Sequence, residues 1–292
     1  MSTVALLAIT GLGLGALYFL IAAGLSLIWG LMRVLNFAHG AFFTVGAYIG
    51  WTAGAATAGG PGAQWIVAAL VAVATGAVFA ALTEIVLIRP LYARHVGQVL
   101  VTVGLALATI ALIEGFYGSD PHKVVLPDWM AATTTLAGAV IPNTRLLAIA
   151  VAVLVLLALL FFLRRTRYGL IVRAGVENRA MVSALGIDVQ RAFTLVFAIG
   201  GMAAGLAGIL GAAYYGTIDP ARGTAMLIFA FIVVVIGGLG SIAGSALAAV
   251  IVGLLQQFLN FYAAAGTGDF AVVLLLAIVL LVRPGGIAGT AT

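Results

Sequence analysis

Few side chains in this 292-residue sequence are equipped for chemistry. There is no cysteine, which excludes disulfides, thiolate metal sites and cysteine nucleophiles. His39, His95 and His122 lie far apart and none belongs to an HExxH or similar pair, so nothing predicts a metal site. No GxSxG elbow is present, and no serine has a base at a suggestive spacing. No GxxxxGK[ST] phosphate loop occurs either; if ATP powers this chain, another subunit binds it, and no cofactor is expected here. What remains are polar groups inside apolar runs. Asn36 and His39, with Phe37 and Thr44 beside them, stand in one such run, and the acids Glu84 and Glu114 in two others. A polar side chain at membrane depth is costly, so each must bond a neighbouring helix or serve a solute or proton path. Asn36 and His39 fit a packing latch between the first two segments or the lining of a path. Glu84 and Glu114 fit a proton relay, or carboxylates near segment ends that reach water.

The elements that must position these groups are membrane helices. The chain is 64% hydrophobic and 7% charged, against roughly 25% charged in an average soluble domain. A soluble core cannot absorb that much apolar surface, and the alternation of barrel strands is absent. The fold class is therefore all-α: a polytopic helical membrane protein in one membrane domain, 1–292. The N-terminal MSTVALLAIT lacks the basic region of a cleaved leader, so the first apolar run is expected to stay as a span. Apolar runs at 4–29, 40–58, 64–88, 98–117, 146–163, 192–215, 224–236, 241–262 and 270–282 give about nine transmembrane segments. Gly46, Gly50 and Gly54 make a four-residue stripe suited to close helix packing. Gly237, Gly238 and Gly240 mark a broken helix or a tight hairpin. No internal repeat is visible by eye. The longest uncharged-to-acidic connection, 118–145, carries Trp129 at a position suited to the membrane interface.

The loop 164–191 is the one long polar run. It holds Arg164, Arg165, Arg167, Arg173, Arg179 and Arg191 against Glu177 and Asp188. With every segment crossing, ten basic residues fall on the side of this loop and Lys123, Arg145 and Arg222 on the other. That asymmetry puts the loop inside, the N-terminus outside and the C-terminus inside. The net charge of +5 thus reports orientation in a lipid bilayer and not nucleic-acid binding. Within the loop, 173–185 reads as a short helix with Val172, Val176, Ala180 and Ala184 on one face, widened by Met181 and Leu185. Gly186 ends it in a left-handed turn and Asp188 caps the next membrane helix. Two readings fit: a basic loop that fixes topology, or a rigid stub that transmits force from a cytoplasmic partner.

Four stretches resemble one known family. GALYFLIAAGLSLIWGLMRVLNFAHGAFFTVGAY (15–48), YGLIVRAGVENRAMVSALGIDVQRAF (168–193), GGLGSIAG (237–244) and RPGGIAG (283–289) are similar to permeases of the branched-chain amino acid ABC importers. The resemblance implies a single transmembrane permease domain, multi-pass in the bacterial inner membrane, and no enzyme. Its partners would be a second, homologous permease chain in a heterodimer, two cytoplasmic ATPase subunits and an external solute-binding protein. Glu177, Asn178, Arg179, Ala184, Gly186 and Ile187 match the family's ATPase-coupling segment, and Asn36, Phe37, His39 and Thr44 are the substrate-path candidates. Alternating access would carry branched-chain or other small amino acids inward; close relatives carry urea or short amides. Without the resemblance, an ion-coupled secondary transporter using Glu84, Glu114 and the break near Gly238 stays open, as do an intramembrane enzyme and a channel.

Overall fold

The computed structural model describes residues 2–136, 138–184, 186 and 188–288, without the side chains of 176–180 and 183. It is mostly helical. Helices α1 (Ser2–Met32), α2 (His39–Ala55), α3 (Pro61–Leu82) and α4 (His95–Tyr117) lead to a small outer lobe. That lobe holds strand β1 (His122–Lys123), the one-turn helix α5 (Asp128–Ala131) and the hairpin β2 (Thr133–Leu136) and β3 (Ala139–Pro142). Then come α6 (Asn143–Arg165), α7 (Arg167–Ala184) and α8 (Val189–Tyr215). Strand β4 (Thr217–Ile218) pairs antiparallel with β1, and α9 (Arg222–Gly237), α10 (Ile242–Tyr262) and α11 (Thr267–Val282) close the chain. The connection 118–145 is thus a strand-bearing lobe and not a plain loop.

Each of the nine expected segments is a helix, but among the described residues only six helices are long and apolar enough to cross a membrane. These are α1, α3 with its continuation to Leu91, α4, α6, α8 and α10. Helix α2 has 17 residues, and α9 and α11 have 16 each, or about 24–26 Å at 1.5 Å per residue, against a hydrocarbon core of about 30 Å. Two of the three are short for a physical reason: α2 and α9 begin inside the bundle. His39, the first residue of α2, bonds the carbonyl of Ile21, which lies about 16 Å along α1 from its end at Met32. Residues 33–38 therefore climb back into the bundle before α2 starts. At the other end, 216–221 descend from Tyr215 until Thr44 Oγ donates to Pro220 O at 3.4 Å, and α9 starts there.

These paired re-entries reveal an inverted repeat that the sequence hides. Helix α1 runs antiparallel to α8, with Thr10 bonded to Tyr214 and Gly24 against Gly200. Helix α8 packs on α3 as α1 packs on α10, and α2 bridges α3 and α8 as α9 bridges α10 and α1. Helices α2 and α9 consequently point in opposite directions and meet head to head. A Cβ at Gly40 would lie 2.6 Å from the carbonyl oxygen of Gly223, so only glycine lets the two N-termini touch. Close backbone approach of this kind gains dispersion where lipid offers no hydrophobic drive. Helices α1 and α8 form the centre, with Leu17, Tyr18, Ile21, Phe193 and Phe197 fully enclosed, while α3, α4 and α6 expose apolar side chains such as Leu70, Leu100 and Leu154. A soluble bundle would reverse that outer pattern.

Candidate functional site

The first candidate is the meeting point of the half-helices α2 and α9. Two turns of like backbone form it. Asn36 Oδ1 accepts from Ala38 N at 3.1 Å, and Asp219 Oδ1 accepts from Ala221 N at 2.9 Å. In both, the residue before each helix, Ala38 or Ala221, then supplies the first carbonyl of the helix. Such Asx turns let a polar side chain bond the backbone two residues on, which starts a helix without help from water. Their side chains differ. His39 is fully buried and donates from Nε2 to Ile21 O at 3.1 Å, which fixes its tautomer. Thr44 Oγ donates to both Gly40 O and Pro220 O. Arg222 instead pairs with Asp219 at 3.7 Å and stacks 4.2 Å over the Tyr215 ring, both partners of the pair being partly exposed.

Beside this crossing lies a cavity of about 490 Å³, lined among others by Asn36, Phe37, Leu107, Thr224, Ile228 and Phe231. Of the sequence-predicted path residues, Asn36 and Phe37 line it, whereas His39 and Thr44 are spent on backbone bonds that tie the half-helices to α1 and to the 216–221 turn. Asn36 Nδ2 has no partner among the described residues. Sequence reasoning missed Asp219, Pro220, Arg222 and Gly223. The signal was present as Asn36, Ala38 and Gly40 recurring as Asp219, Ala221 and Gly223.

The second candidate is the basic end. Helix α7 begins at Arg167, six residues before the predicted start, because Thr166 turns the chain after α6 and its Oγ accepts from Gly169 N at 3.0 Å. Val172, Gly175 and Val182 form its buried face, and a Cβ at Gly175 would meet the Leu31 side chain of α1 at 2.8 Å. Of the small-residue face read from the sequence, Val172 packs inward while Met181 and Ala184 are exposed. Gly186 is left-handed (φ 76°), and Asp188 caps α8 through Gln190 N and Arg191 N, both as the sequence suggests. The side chains of Val176, Glu177, Asn178, Arg179 and Ala180, and all of Leu185 and Ile187, lie outside the described residues.

The acids separate. Glu114 is exposed, but Glu84 is fully buried and does not reach water. Helix α3 runs on through a π turn, Thr83–Ile88, and a 3-10 turn, Arg89–Leu91. There the Glu84 carboxylate accepts from Arg89 at 3.0 Å, from Thr194 Oγ at 2.7 Å and from the Tyr92 hydroxyl. The glycine break resolves as a hairpin: Gly238 has φ 101°, Gly237 abuts Gly244, and Ser241 caps α10 by accepting from Gly244 N. Among the described residues no group of three metal-ligating side chains occurs.

Long apolar helices, two half-helices meeting inside an inverted repeat, and a helix carried across one end of the bundle define a membrane transport protein. Residues 7–283 match the model of the family described as branched-chain amino acid transport system / permease component, and the chain belongs to that family. It is a transport component and not an enzyme. It is 31% identical over 96% of its length to the high-affinity branched-chain amino acid transport system permease protein LivH of Salmonella typhimurium, covering 93% of that protein. It is 30% identical to BraD of Pseudomonas aeruginosa, over 96% of this chain and 94% of that one. A probable branched-chain amino acid transport permease protein LivH of Methanocaldococcus jannaschii is 28% identical, over 94% and 89%. No solved structure matches the chain.

Proposed function

We propose that this chain is the permease subunit of an ATP-driven importer that moves branched-chain or other small amino acids inward across a bacterial inner membrane. One observation carries the reading: α7 is fixed at one end to α6 through Thr166 and at the other to α8 past the left-handed Gly186 and the Asp188 cap, and it packs under α1 at Gly175. A helix held at three points transmits a push to all three helices. The push comes from two cytoplasmic ATPase subunits, with Glu177, Asn178, Arg179, Ala184, Gly186 and Ile187 forming the contact. The permease works beside a second, homologous permease chain, and an external solute-binding protein delivers the solute.

In this reading the basic end is cytoplasmic and the nine helices give nine passages, with α2 and α9 completing theirs through the re-entrant stretches 33–38 and 216–221. Alternating access switches the solute path from outward-open to inward-open. The path runs past Asn36 and Phe37, with His39 and Thr44 holding its walls. An aliphatic side chain suits the cavity there, whose lining is nearly all hydrocarbon.

The test is affinity purification from the native membrane at mild salt, followed by reconstitution and leucine uptake. Two ATPase chains should accompany the wild type and be lost with Glu177→Arg or Gly186→Trp at unchanged permease level. Recovery of the chain alone, with uptake driven by an ion gradient, would replace this reading with a secondary transporter.

A further inference from the structure

The buried cluster at Glu84 is used by none of the steps above. Its carboxylate belongs to the π turn at the basic end of α3, where Arg89 N bonds Glu84 O and so returns the two side chains to one face. Arg89 meets the carboxylate through Nη2 at 3.0 Å and Nε at 3.3 Å, and Nη2 also donates to Thr194 Oγ at 2.8 Å. Thr194 in turn donates to Glu84 at 2.7 Å. Tyr92 bonds the same carboxylate and sets its ring edge-on to Phe193 at 5.3 Å. Glu84 and Arg89 stand on the α3 continuation, Tyr92 directly follows it, and Thr194 stands on α8, in the turns that follow the Asp188 cap and hence the root of α7.

We propose that Glu84, Arg89, Tyr92 and Thr194 form the joint through which displacement of α7 reaches α3, so that α3, the root of α8 and α7 move as one body. The inference rests on the transport reading, in which α7 receives the push. Three features of the cluster support it. Apolar helix faces in lipid can slide against one another, whereas directional bonds to a buried charge fix one register. The charge itself is not needed for packing, since an apolar set of like volume serves a static contact at least as well. Finally, the inverted repeat supplies a control. The matching pair α1 and α10 is tied from the middle of α1 by Tyr18 donating to Gln256 Oε1 at 2.8 Å, and Gln256 Nε2 donates in turn to the Asp269 carboxylate of α11, with no cation and no π turn among the described residues. The ion pair is present where α7 attaches. Glu84 is therefore a positioning residue whose carboxylate oxygens are taken up by Arg89, Tyr92 and Thr194.

Thr194→Val tests this with little disturbance, because it removes the hydroxyl on α8 and leaves the Glu84 bonds to Arg89 and Tyr92 in place. The chain has no cysteine, so spin labels on Leu82→Cys and Gln190→Cys report the distance between α3 and the α8 root in the purified full-length chain. One narrow distance distribution is expected in the parent and in Thr194→Ser, and a broad one in Thr194→Val. A broad distribution in the parent, or no change in Thr194→Val, overturns the joint. In proteoliposomes holding the complete importer, leucine moved per ATP hydrolysed should fall about tenfold in Thr194→Val, the scale of one hydrogen bond to a charge, while ATP hydrolysis persists and Thr194→Ser restores the ratio. An unchanged ratio, or uptake and hydrolysis falling together in both variants, also overturns it. Failure of the parent importer to move leucine with ATP counts against the transport reading instead, and the label distances still decide the joint.

Discussion

The turn at Asn36–Gly40 and the turn at Asp219–Gly223 have like backbones and opposite electrostatics. Each starts a half-helix with an Asx turn, and each brings a glycine to the same contact. The first is neutral and sealed: Asn36 is 2% exposed and His39 is fully buried. The second carries an ion pair whose side chains are 20% and 31% exposed, backed by the Tyr215 ring. Backbone symmetry is therefore set by small residues and Asx turns, and the side chains then make the two halves unequal. The buried turn resists hydration and the charged one tolerates it.

Substitutions can break the shared part of this comparison first. Gly40→Val places a side chain against the Gly223 carbonyl, which is backbone and cannot yield. We expect a loss of about 3 kcal/mol or more, read as loss of monodisperse protein on size-exclusion chromatography of detergent extracts. Gly60→Val, at a site with no atom within 4 Å of the added Cβ, should extract as the parent does. The unequal part is sharpened by Asn36→Asp, which retains the acceptor for Ala38 N but puts a carboxylate where no cation is bonded among the described residues. The expected cost is about 3 kcal/mol, near that of a charge at the centre of a membrane helix, and thermal unfolding of the purified chain measures it. His39→Leu keeps the volume and orphans the bond to Ile21 O, for about 1–2 kcal/mol by the same assay.

Much of this was legible in the sequence, and what was not has particular causes. The helices could be placed because lipid-facing and core-facing positions are both apolar, so every span shows as a run. The same uniformity hides which face is buried: on α7 it is Val172, Gly175 and Val182, while Met181 and Ala184 are exposed. Gly186, Asp188 and the Gly237–Gly240 hairpin were readable because left-handed turns and caps demand particular residue types. The repeat was not. It is carried by Asn36, Ala38 and Gly40 against Asp219, Ala221 and Gly223, and small residues of that kind are diluted among 38 glycines. Glu84 was misplaced because α-helical spacing separates it from Arg89 and suggests a side chain reaching for water. A π turn unites them, and the carboxylate's further partner on α8 is Thr194, a residue 110 positions away.

The smallest effect expected is at Asp219→Asn, the reciprocal of the buried substitution. Asparagine keeps the oxygen that Ala221 N needs, so the turn and the start of α9 survive. Only the 3.7 Å pairing with Arg222 loses its charge, and the guanidinium keeps the Tyr215 face. Partly exposed pairs contribute below about 1 kcal/mol, so the unfolding temperature should move little, and raising the salt should narrow the remaining gap from the parent. A shift as large as that of Asn36→Asp would mean that the two turns are equally sealed, and that their difference in exposure has no energetic counterpart. A small shift, beside a large one at Asn36, gives the two halves separate roles: a fixed hinge at the first turn and a hydratable one at the second.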